Sequence, residues 1–117
     1  MKTDLLERGS VRIVECLEAI TATGDALELV SACAEHDATR ILLDDRFLPP
    51  AFFELRSGFA GEFVQKLVNY RVQLAVVFSN VSSRGERFEQ FVAEAWRGRG
   101  FRAFDDRESA DSWLSGS

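Results

Sequence analysis

The feature that most constrains the fold is a nearly uninterrupted apolar run, VQLAVVF, at Val72–Phe78. A strand that lacks polar residues at alternate positions must be covered on both faces, which is typical of a central strand in a parallel sheet. Neighbouring parallel strands are joined by long crossover connections, which are usually helices. The run therefore predicts an α/β protein in which helices alternate with the strands of a mostly parallel sheet.

The chain on both sides of this run divides into further strands. Two short strands, Lys2–Glu7 and Val11–Cys16, are predicted to form a hairpin across Arg8-Gly9-Ser10. Two more are predicted at Thr39–Asp44 and at Phe101–Phe104, where alternating polarity suits an edge strand. With the helices between them, the predicted order is ββαβαβαβα: an α/β domain with a mostly parallel sheet and an N-terminal antiparallel hairpin.

Four helices are predicted where apolar residues recur at helical spacing behind a capping residue. The first begins after Thr23, the second after Ser57, the third in the capping box Ser83–Glu86, and the last at Asp105. The second is expected to end at Asn69-Tyr70-Arg71. The expected core positions are Ala26, Leu29, Val30 and Cys33; Ala60, Phe63, Val64, Leu67 and Val68; Phe88, Phe91, Val92 and Ala95; and Ala110, Trp113 and Leu114.

Length and charge limit the domain organisation and the partners. The 117 residues contain no linker or repeat, which fits one domain over residues 1–117 with a loose tail at 115–117. The net charge of −5 and the pI of about 4.9 argue against nucleic acid or an anionic membrane as the main partner. The polar start gives no signal peptide and no run is long enough to span a membrane, so a cytoplasmic protein is expected.

Cysteine and histidine offer little material for catalysis. Cys16 and Cys33 are expected to be buried free thiols, because a cytoplasmic protein keeps its cysteines reduced. The only histidine is His36, and neither zinc-ligand spacing nor a nucleophile beside an oriented base is visible. No metal and no cofactor are therefore predicted, and the lack of a visible catalytic group favours a protein that is not an enzyme.

The first candidate site lies at the carboxyl ends of the parallel strands, where open α/β sheets bind their ligands. Its candidate residues for ligand binding or phosphorylation are Arg56, Ser57, Gly58, Ser79 and Asn80. A helix N-terminus with a hydroxyl and an arginine suits an anion. The alternative is structural: Ser57 caps the second helix, a role that aspartate could also fill, and Gly58 lets the chain turn.

The second candidate is an interaction surface on the second helix. A polar stripe there either is simply solvated or docks a second copy or another protein; it consists of Glu62, Gln65, Lys66 and Asn69, flanked by Tyr70 and Arg71. The chain has ten phenylalanines and one tyrosine, and a loop carries Phe47, Phe52, Phe53 and Phe59. Some of these rings must cover the end of the sheet, and any that remained exposed would mark a protein contact.

The block FFELRSGFAGEFVQKLVNYR at Phe52–Arg71 resembles a bacterial family known as domain of unknown function 4180, whose members carry F-F-x-L-[KR]-[ST]-G-x-A-G-E-x-x-Q-K-x-x-N-Y-R. The following Leu74–Val77 is similar to the family's L-A-[IV]-V strand, and Glu94 with Arg97–Arg99 to a later helix end. The chain departs from the family at Phe78–Asn80, where members often have Gly-Asp. The resemblance implies no reaction, because the family has no established activity.

A weaker likeness is to STAS domains, the fold of the anti-sigma-factor antagonists. These share the ββαβαβαβα order, a strand that ends in L-x-L-D and an S-G-x-x-G helix start, which Ile41–Asp44 and Ser57–Gly61 resemble. A serine at that helix start can be phosphorylated in the antagonists. They usually have Asp-Ser-Ser/Thr-Gly there, whereas this chain has Arg56 in the approach. The likeness therefore implies a STAS-like fold more than a phosphorylation switch.

Two functions from different classes follow. The first is a non-enzymatic cytoplasmic interaction or regulatory module of STAS-like type, expected to form a homodimer. The alternative is a domain that binds a small anion or ligand, with at most weak enzyme activity, at Arg56-Ser57-Gly58. A filled carboxyl end of the sheet would favour the first, and a walled cleft would favour the second.

Overall fold

Five strands form one mixed sheet in the computed structural model, which describes residues 1–78 and 100–116. The strands are β1 Thr3–Arg8, β2 Val11–Cys16, β3 Arg40–Asp44, β4 Gln73–Val77 and β5 Phe101–Phe104. They lie in the sheet in chain order; β1 and β2 are antiparallel, and each later neighbour is parallel. The predicted mixed sheet with its N-terminal hairpin is confirmed.

The described residues contain four helices: α1 Asp25–Glu35, α2 Pro50–Phe53, α3 Phe59–Asn69 and α4 Arg107–Leu114. Short 3-10 turns at Asp45–Phe47 and Leu55–Ser57 flank α2. Three of these helices correspond to predicted ones, whereas α2 was not predicted because four residues are too few to show a helical period. The predicted helix that opens at Ser83–Glu86 lies outside the described residues.

The hairpin depends on a glycine at its turn. Arg8 pairs with Val11, so only Gly9 and Ser10 connect the two strands. Gly9 has a φ of 65°, a conformation that side-chain-bearing residues rarely adopt. Ser10 has no positive φ, and a positive φ at only the first of two loop residues is typical of a type II′ turn, whose twist matches that of the flanking strands.

The apolar run forms the sheet's central parallel pairings, as predicted. β4 lies between β3 and β5, with Ala75 opposite Leu42 on one side and Arg102 on the other. Leu74, Ala75 and Val76 are fully buried. β5 is an edge strand of the five-stranded sheet and its burial alternates along the strand, which confirms the prediction for Phe101–Phe104.

The strand order decides which face each helix covers. When parallel strands follow one another across the sheet, right-handed crossovers place every connecting helix on the same face. α1 and α3 accordingly pack against each other over the first face, whose core includes Val14, Ile41 and Val76. Among the described helices, α4 alone packs on the second face, over Ile13, Leu42 and Ala75.

Two ion pairs fasten α4 to the hairpin. The Arg8 guanidinium donates to the Asp111 carboxylate, with Nη2 2.9 Å from Oδ2. Arg107 donates to Glu15, with Nη2 2.9 Å from Oε1, and this hydrogen bonding raises the pKa of the Arg107 guanidinium above its ordinary value. Both pairs are charge-assisted and bidentate, a geometry that fixes orientation as well as contributing energy.

The start of α1 corrects one predicted cap. Thr23 makes no side-chain cap; the N-cap residue is Gly24. Instead the Asp25 carboxylate turns back, and its Oδ2 accepts from the backbone N–H of Thr21 at 2.9 Å and of Ala22 at 3.2 Å. Burial alone would raise the pKa of Asp25, but these hydrogen bonds outweigh it and hold that pKa below its ordinary 3.8.

The start of α4 corrects a second cap by one residue. Asp106, not Asp105, is the N-cap, and its Oδ1 accepts from the Ser109 N–H at 2.7 Å. Asp106 has the extended backbone that lets an N-cap side chain reach the first turn, with φ −142°. Adjacent aspartates look alike in sequence, so only the backbone conformation separates them.

Burial confirms most of the predicted core and corrects one position. Ala26, Leu29, Cys33, Ala60, Phe63, Leu67, Ala110 and Leu114 are all buried. Val30, Val64 and Trp113 are half-buried and pack against the core clusters. Val68 was predicted to face the core, but it is 40% exposed, so that prediction is wrong.

Helices α1 and α3 end in the same way. In α3 the Val72 N–H donates to the Leu67 carbonyl at 3.2 Å and the Arg71 N–H to the Val68 carbonyl at 2.9 Å, which is a Schellman motif. Arg71 has a φ of 59°, and Asp37 at the matching position after α1 has a φ of 52°. Glycine is usual there, because a side chain in this conformation costs about 1–2 kcal/mol.

Within residues 1–78 and 100–116, no helix combines the length and apolar character that a membrane span requires.

At the C-terminal end of α4, the Ser115 N–H donates to the Asp111 carbonyl at 2.9 Å and extends the hydrogen bonding of the helix. Ser117 lies outside the described residues.

Candidate functional site

Aromatic side chains fill the first face beside the carboxyl ends of β3 and β4. Phe52 is fully buried at the centre of this cluster. Its ring centroid lies within 6.5 Å of four others, mostly edge-to-face, namely those of Phe53, Phe59, Phe63 and Phe78. Phe47 is half-buried, with the Arg46 guanidinium 4.8 Å from the centre of its ring. These phenylalanines therefore complete the core, as expected for rings that cover the end of the sheet, and no described phenylalanine is left exposed to mark a protein contact.

Ser57 joins α2 to α3 through its hydroxyl group. The Oγ donates toward two carbonyl oxygens, that of Ala51 at 2.6 Å and that of Glu54 at 2.7 Å. The same oxygen accepts from the Phe59 N–H at 3.1 Å, which is the first amide of α3. Both the donor and the acceptor capacity of the hydroxyl are thus used within the chain.

Gly58, not Ser57, is the N-cap residue of α3, which corrects the predicted cap by one position. It has a φ of 72°, a left-handed conformation that favours glycine. This conformation turns the chain so that Ser57 lies just before the helix and still reaches the Phe59 N–H. The prediction that Gly58 lets the chain turn is confirmed by this geometry.

Charges of both signs lie at the carboxyl ends of the described strands. Arg56 is exposed beside Ser57, and Arg46 and Arg107 are further exposed basic residues at this end. The acidic residues that the structure describes there are Asp44, Asp45, Glu54, Asp105 and Asp106. An anion at Arg56-Ser57-Gly58 would be attracted by the arginine and opposed by any carboxylate close to it.

Two residues of the predicted site, Ser79 and Asn80 after β4, lie outside the described residues. Asp44, at the end of β3, accepts from the Arg46 N–H at 3.0 Å and caps the turn that follows the strand. Together with Ser57, it shows that polar groups at this end are used for turns and helix junctions.

The exposed face of α3 contains the predicted interaction surface. Five of its six residues are exposed and Lys66 is half-buried; the set is Glu62, Gln65, Lys66, Asn69, Tyr70 and Arg71. The Gln65 amide donates to the Asn69 side-chain oxygen at 2.8 Å, and no ion pair within 4 Å joins Glu62 to Lys66 among the described residues. Tyr70 is 57% exposed, more than any other large apolar side chain that the structure describes.

A groove lies beside the C-terminal end of α3, where β4 and β5 begin. Its volume is about 260 Å³, and the described part of its wall consists of Val68, Arg71, Val72, Gln73 and Gly100. A Cβ on Gly100 would lie 2.7 Å from Val68 Cγ2, so glycine is what allows β5 to start this close to α3. Hydrophobic periodicity missed this groove because its wall joins segments that are distant in sequence.

Comparison with known protein families shows which family the chain belongs to. A family model described as a domain of unknown function, DUF4180, matches residues 9–114. The chain belongs to this family. The match extends from the hairpin turn to the end of α4 and therefore includes both Ser57 and the exposed face of α3. Among curated proteins, no relative matches the chain.

Membership of the DUF4180 family brings no activity with it, so chemistry must be judged from the side chains. Both thiols are free and buried, as predicted. Burial raises the pKa of Cys33 to about 11 and also raises that of Cys16, which makes both poor nucleophiles near neutral pH. Within the described residues, no three histidine, cysteine or acidic side chains are grouped so that they could hold a metal ion.

Proposed function

We propose that this DUF4180 domain is a cytoplasmic, non-enzymatic interaction module of STAS-like type that binds a second copy of itself through the exposed face of α3. The single observation that carries the proposal is the exposure of Tyr70 at 57% on that face. All described phenylalanines are buried or half-buried, whereas the ring of Tyr70 is exposed. Exposed aromatic side chains are enriched at protein interfaces.

The charges support a second copy as the partner. At the amino end of the parallel strands both signs are exposed, with the basic residues Arg12 and Arg71 and the acidic residues Glu35 and Asp37. A surface that carries both signs can be complementary to itself across a two-fold axis. Among the described residues the carboxyl end carries more acidic than basic side chains, which disfavours self-association there and favours it at the end where Tyr70 and Arg71 lie.

The element order supports the STAS-like part of the proposal. Strands and helices follow the predicted ββαβαβ pattern through β4, apart from the added short helix α2, and β5 and α4 correspond to the last predicted strand and helix. A regulatory role in the cytoplasm fits a small acidic domain whose polar groups at the carboxyl end serve turns and helix junctions.

Oligomeric mass tests the proposal. Sedimentation velocity at micromolar concentration is expected to give a dimer for the wild type and a monomer for Arg71→Glu, which makes the surface more acidic. Arg71→Glu retains a Cβ, so the cost of the left-handed backbone at this position is unchanged. Arg56→Glu is the matched control, because it changes the net charge equally at the opposite end of α3 and is expected to remain dimeric.

Two results would contradict the proposal. A wild type that stays monomeric at every micromolar concentration would exclude self-association as the function. A dimer that Arg56→Glu abolishes and Arg71→Glu preserves would move the interface to the carboxyl end of the sheet.

A further inference from the structure

The groove beside α3 has the size and lining of a pocket for one side chain. Liquid water occupies about 30 Å³ per molecule, so a groove of about 260 Å³ holds roughly nine waters. This is room for one aromatic ring. Val68 and Val72 supply apolar wall, and Arg71 and Gln73 supply polar groups at its edge.

The described wall of the groove contains few groups that would favour water over an apolar occupant. Val72 is 4% exposed, and the Gln73 side-chain oxygen already accepts from Arg40 Nε at 3.2 Å. Val68 is 40% exposed even though it lies on a helix whose other apolar side chains are covered or partly covered. Burying such a surface releases water and stabilises a complex.

Tyr70 is the side chain best placed to enter such a groove on a second copy. It precedes Arg71, which forms part of the groove wall, but it is not itself part of that wall. A two-fold axis near the end of α3 would therefore bring each Tyr70 to the other chain's groove. Tyrosine combines a large apolar ring with a hydroxyl that can reach polar groups at the rim, which suits a groove edged by Arg71 and Gln73.

We infer that the dimer is anchored by a reciprocal contact in which Tyr70 of each chain inserts into the groove formed by Val68, Arg71, Val72, Gln73 and Gly100 of the other. This inference rests on the proposed self-association and adds its anchor. Burial of both tyrosines provides a central apolar contact, while the exposed charges of the amino end surround it. Interfaces with a buried aromatic anchor and a polar rim concentrate their binding energy in that anchor.

A fluorine label provides a direct test, because Tyr70 is the only tyrosine in the chain. Protein that carries 3-fluorotyrosine has one ¹⁹F resonance, whose relaxation by a soluble gadolinium chelate reports the exposure of that ring. We expect the ring to become protected as the concentration rises through the dimer range. A dimer in which the ring stays exposed would overturn the anchor and leave self-association intact, whereas the absence of any dimer would overturn both.

Two variants make the reciprocal geometry testable. Tyr70→Ala removes the anchor and leaves the groove open, and Val68→Trp fills the groove from an already exposed position and leaves the anchor in place. An anchor residue contributes at least about 2 kcal/mol, or roughly 30-fold in affinity. Because the contact occurs twice, each variant alone is expected to weaken its homodimer by about 1,000-fold.

Mixing the two variants restores one of the two contacts. The Tyr70 of the Val68→Trp chain can enter the open groove of the Tyr70→Ala chain, so the mixed dimer is expected to be about 30-fold tighter than either variant homodimer. Leu27→Ala, at an exposed apolar position on α1, is the matched control and is expected to dimerise normally. Unchanged thermal midpoints would show that the variants fold. Equal affinity of mixed and separate variants would overturn the reciprocal insertion.

Discussion

Replacing Ser57 by aspartate and by asparagine separates a structural hydroxyl from a simple helix cap. A cap needs only an acceptor, and aspartate would serve as well as serine. The observed hydroxyl also donates, toward the carbonyls of Ala51 and Glu54. A carboxylate cannot donate to them and would place negative charge beside two carbonyl oxygens. Asparagine has nearly the same shape as aspartate but carries both a donor and an acceptor.

The hydrogen bonds of Ser57 determine how much unfolding free energy each substitution is expected to remove. One donated and one accepted hydrogen bond at an exposed site are each worth about 0.5–1 kcal/mol, so Ser57→Ala is expected to lose about 1–2 kcal/mol of unfolding free energy. Ser57→Asp keeps the acceptor for the Phe59 N–H but loses the donor, and it is expected to be no more stable than Ser57→Ala. Ser57→Asn and Ser57→Thr are expected to lie between alanine and wild type.

Thermal and urea unfolding followed by circular dichroism measure these differences. For a chain of this length, 1 kcal/mol shifts the midpoint by about 4 °C, so the alanine variant is expected to melt about 4–8 °C below the wild type. An aspartate variant as stable as the wild type would refute the reasoning, because it would show that the donated hydrogen bond contributes nothing. The same result would restore the interpretation of Ser57 as an ordinary cap.

Three further predictions concern the helix ends and the thiols. Arg71→Gly is expected to stabilise the chain by about 1 kcal/mol, and Asp37→Gly by less because aspartate tolerates a left-handed backbone better; urea midpoints would show the order. Because the pKa of Asp25 is lowered from its ordinary value of 3.8, its carboxylate stabilises the fold at pH values above 3.8. The unfolding free energy of the wild type is therefore expected to exceed that of Asp25→Asn by less and less as the pH falls below 3.8. A difference that does not depend on pH would contradict this prediction. Thiol titration with Ellman's reagent is expected to find two thiols after denaturation and slow reaction of the native protein, because Cys16 and Cys33 are buried; fast native labelling would contradict their burial.

The sequence predicted the sheet well because its signals are local. The run Val72–Phe78 has no polar alternation, and this alone identified a covered parallel strand. The hairpin turn and the end of α3 followed from short-range patterns in the same way. In each case the residues that decide the structure are neighbours in the chain, so their chemistry can be read without knowing the fold.

Predictions failed where a distant neighbour decides the environment. Val68 has helical spacing that points to the core, but its exposure depends on how closely the start of β5 at Gly100 approaches it. Some of the phenylalanines near Phe52 were expected to cover the end of the sheet, but local patterns did not show which ones; they pack on one another because the turns after β3 return the chain over the sheet. The cap residues Gly58 and Asp106 were each missed by one position, since backbone torsion angles select them.

The uneven coverage of the sheet has a consequence for synthesis. α4 packs on the second face and is translated after all five strands, so Ile13, Leu42 and Ala75 have no cover from it while the chain is still leaving the ribosome. The first face acquires α1 and α3 earlier, each soon after the strand it follows. A nascent chain that stalls before Arg107 would present the apolar side of a nearly finished sheet to chaperones or to other nascent chains. This face is therefore accessible to cellular quality control for longer than the first face.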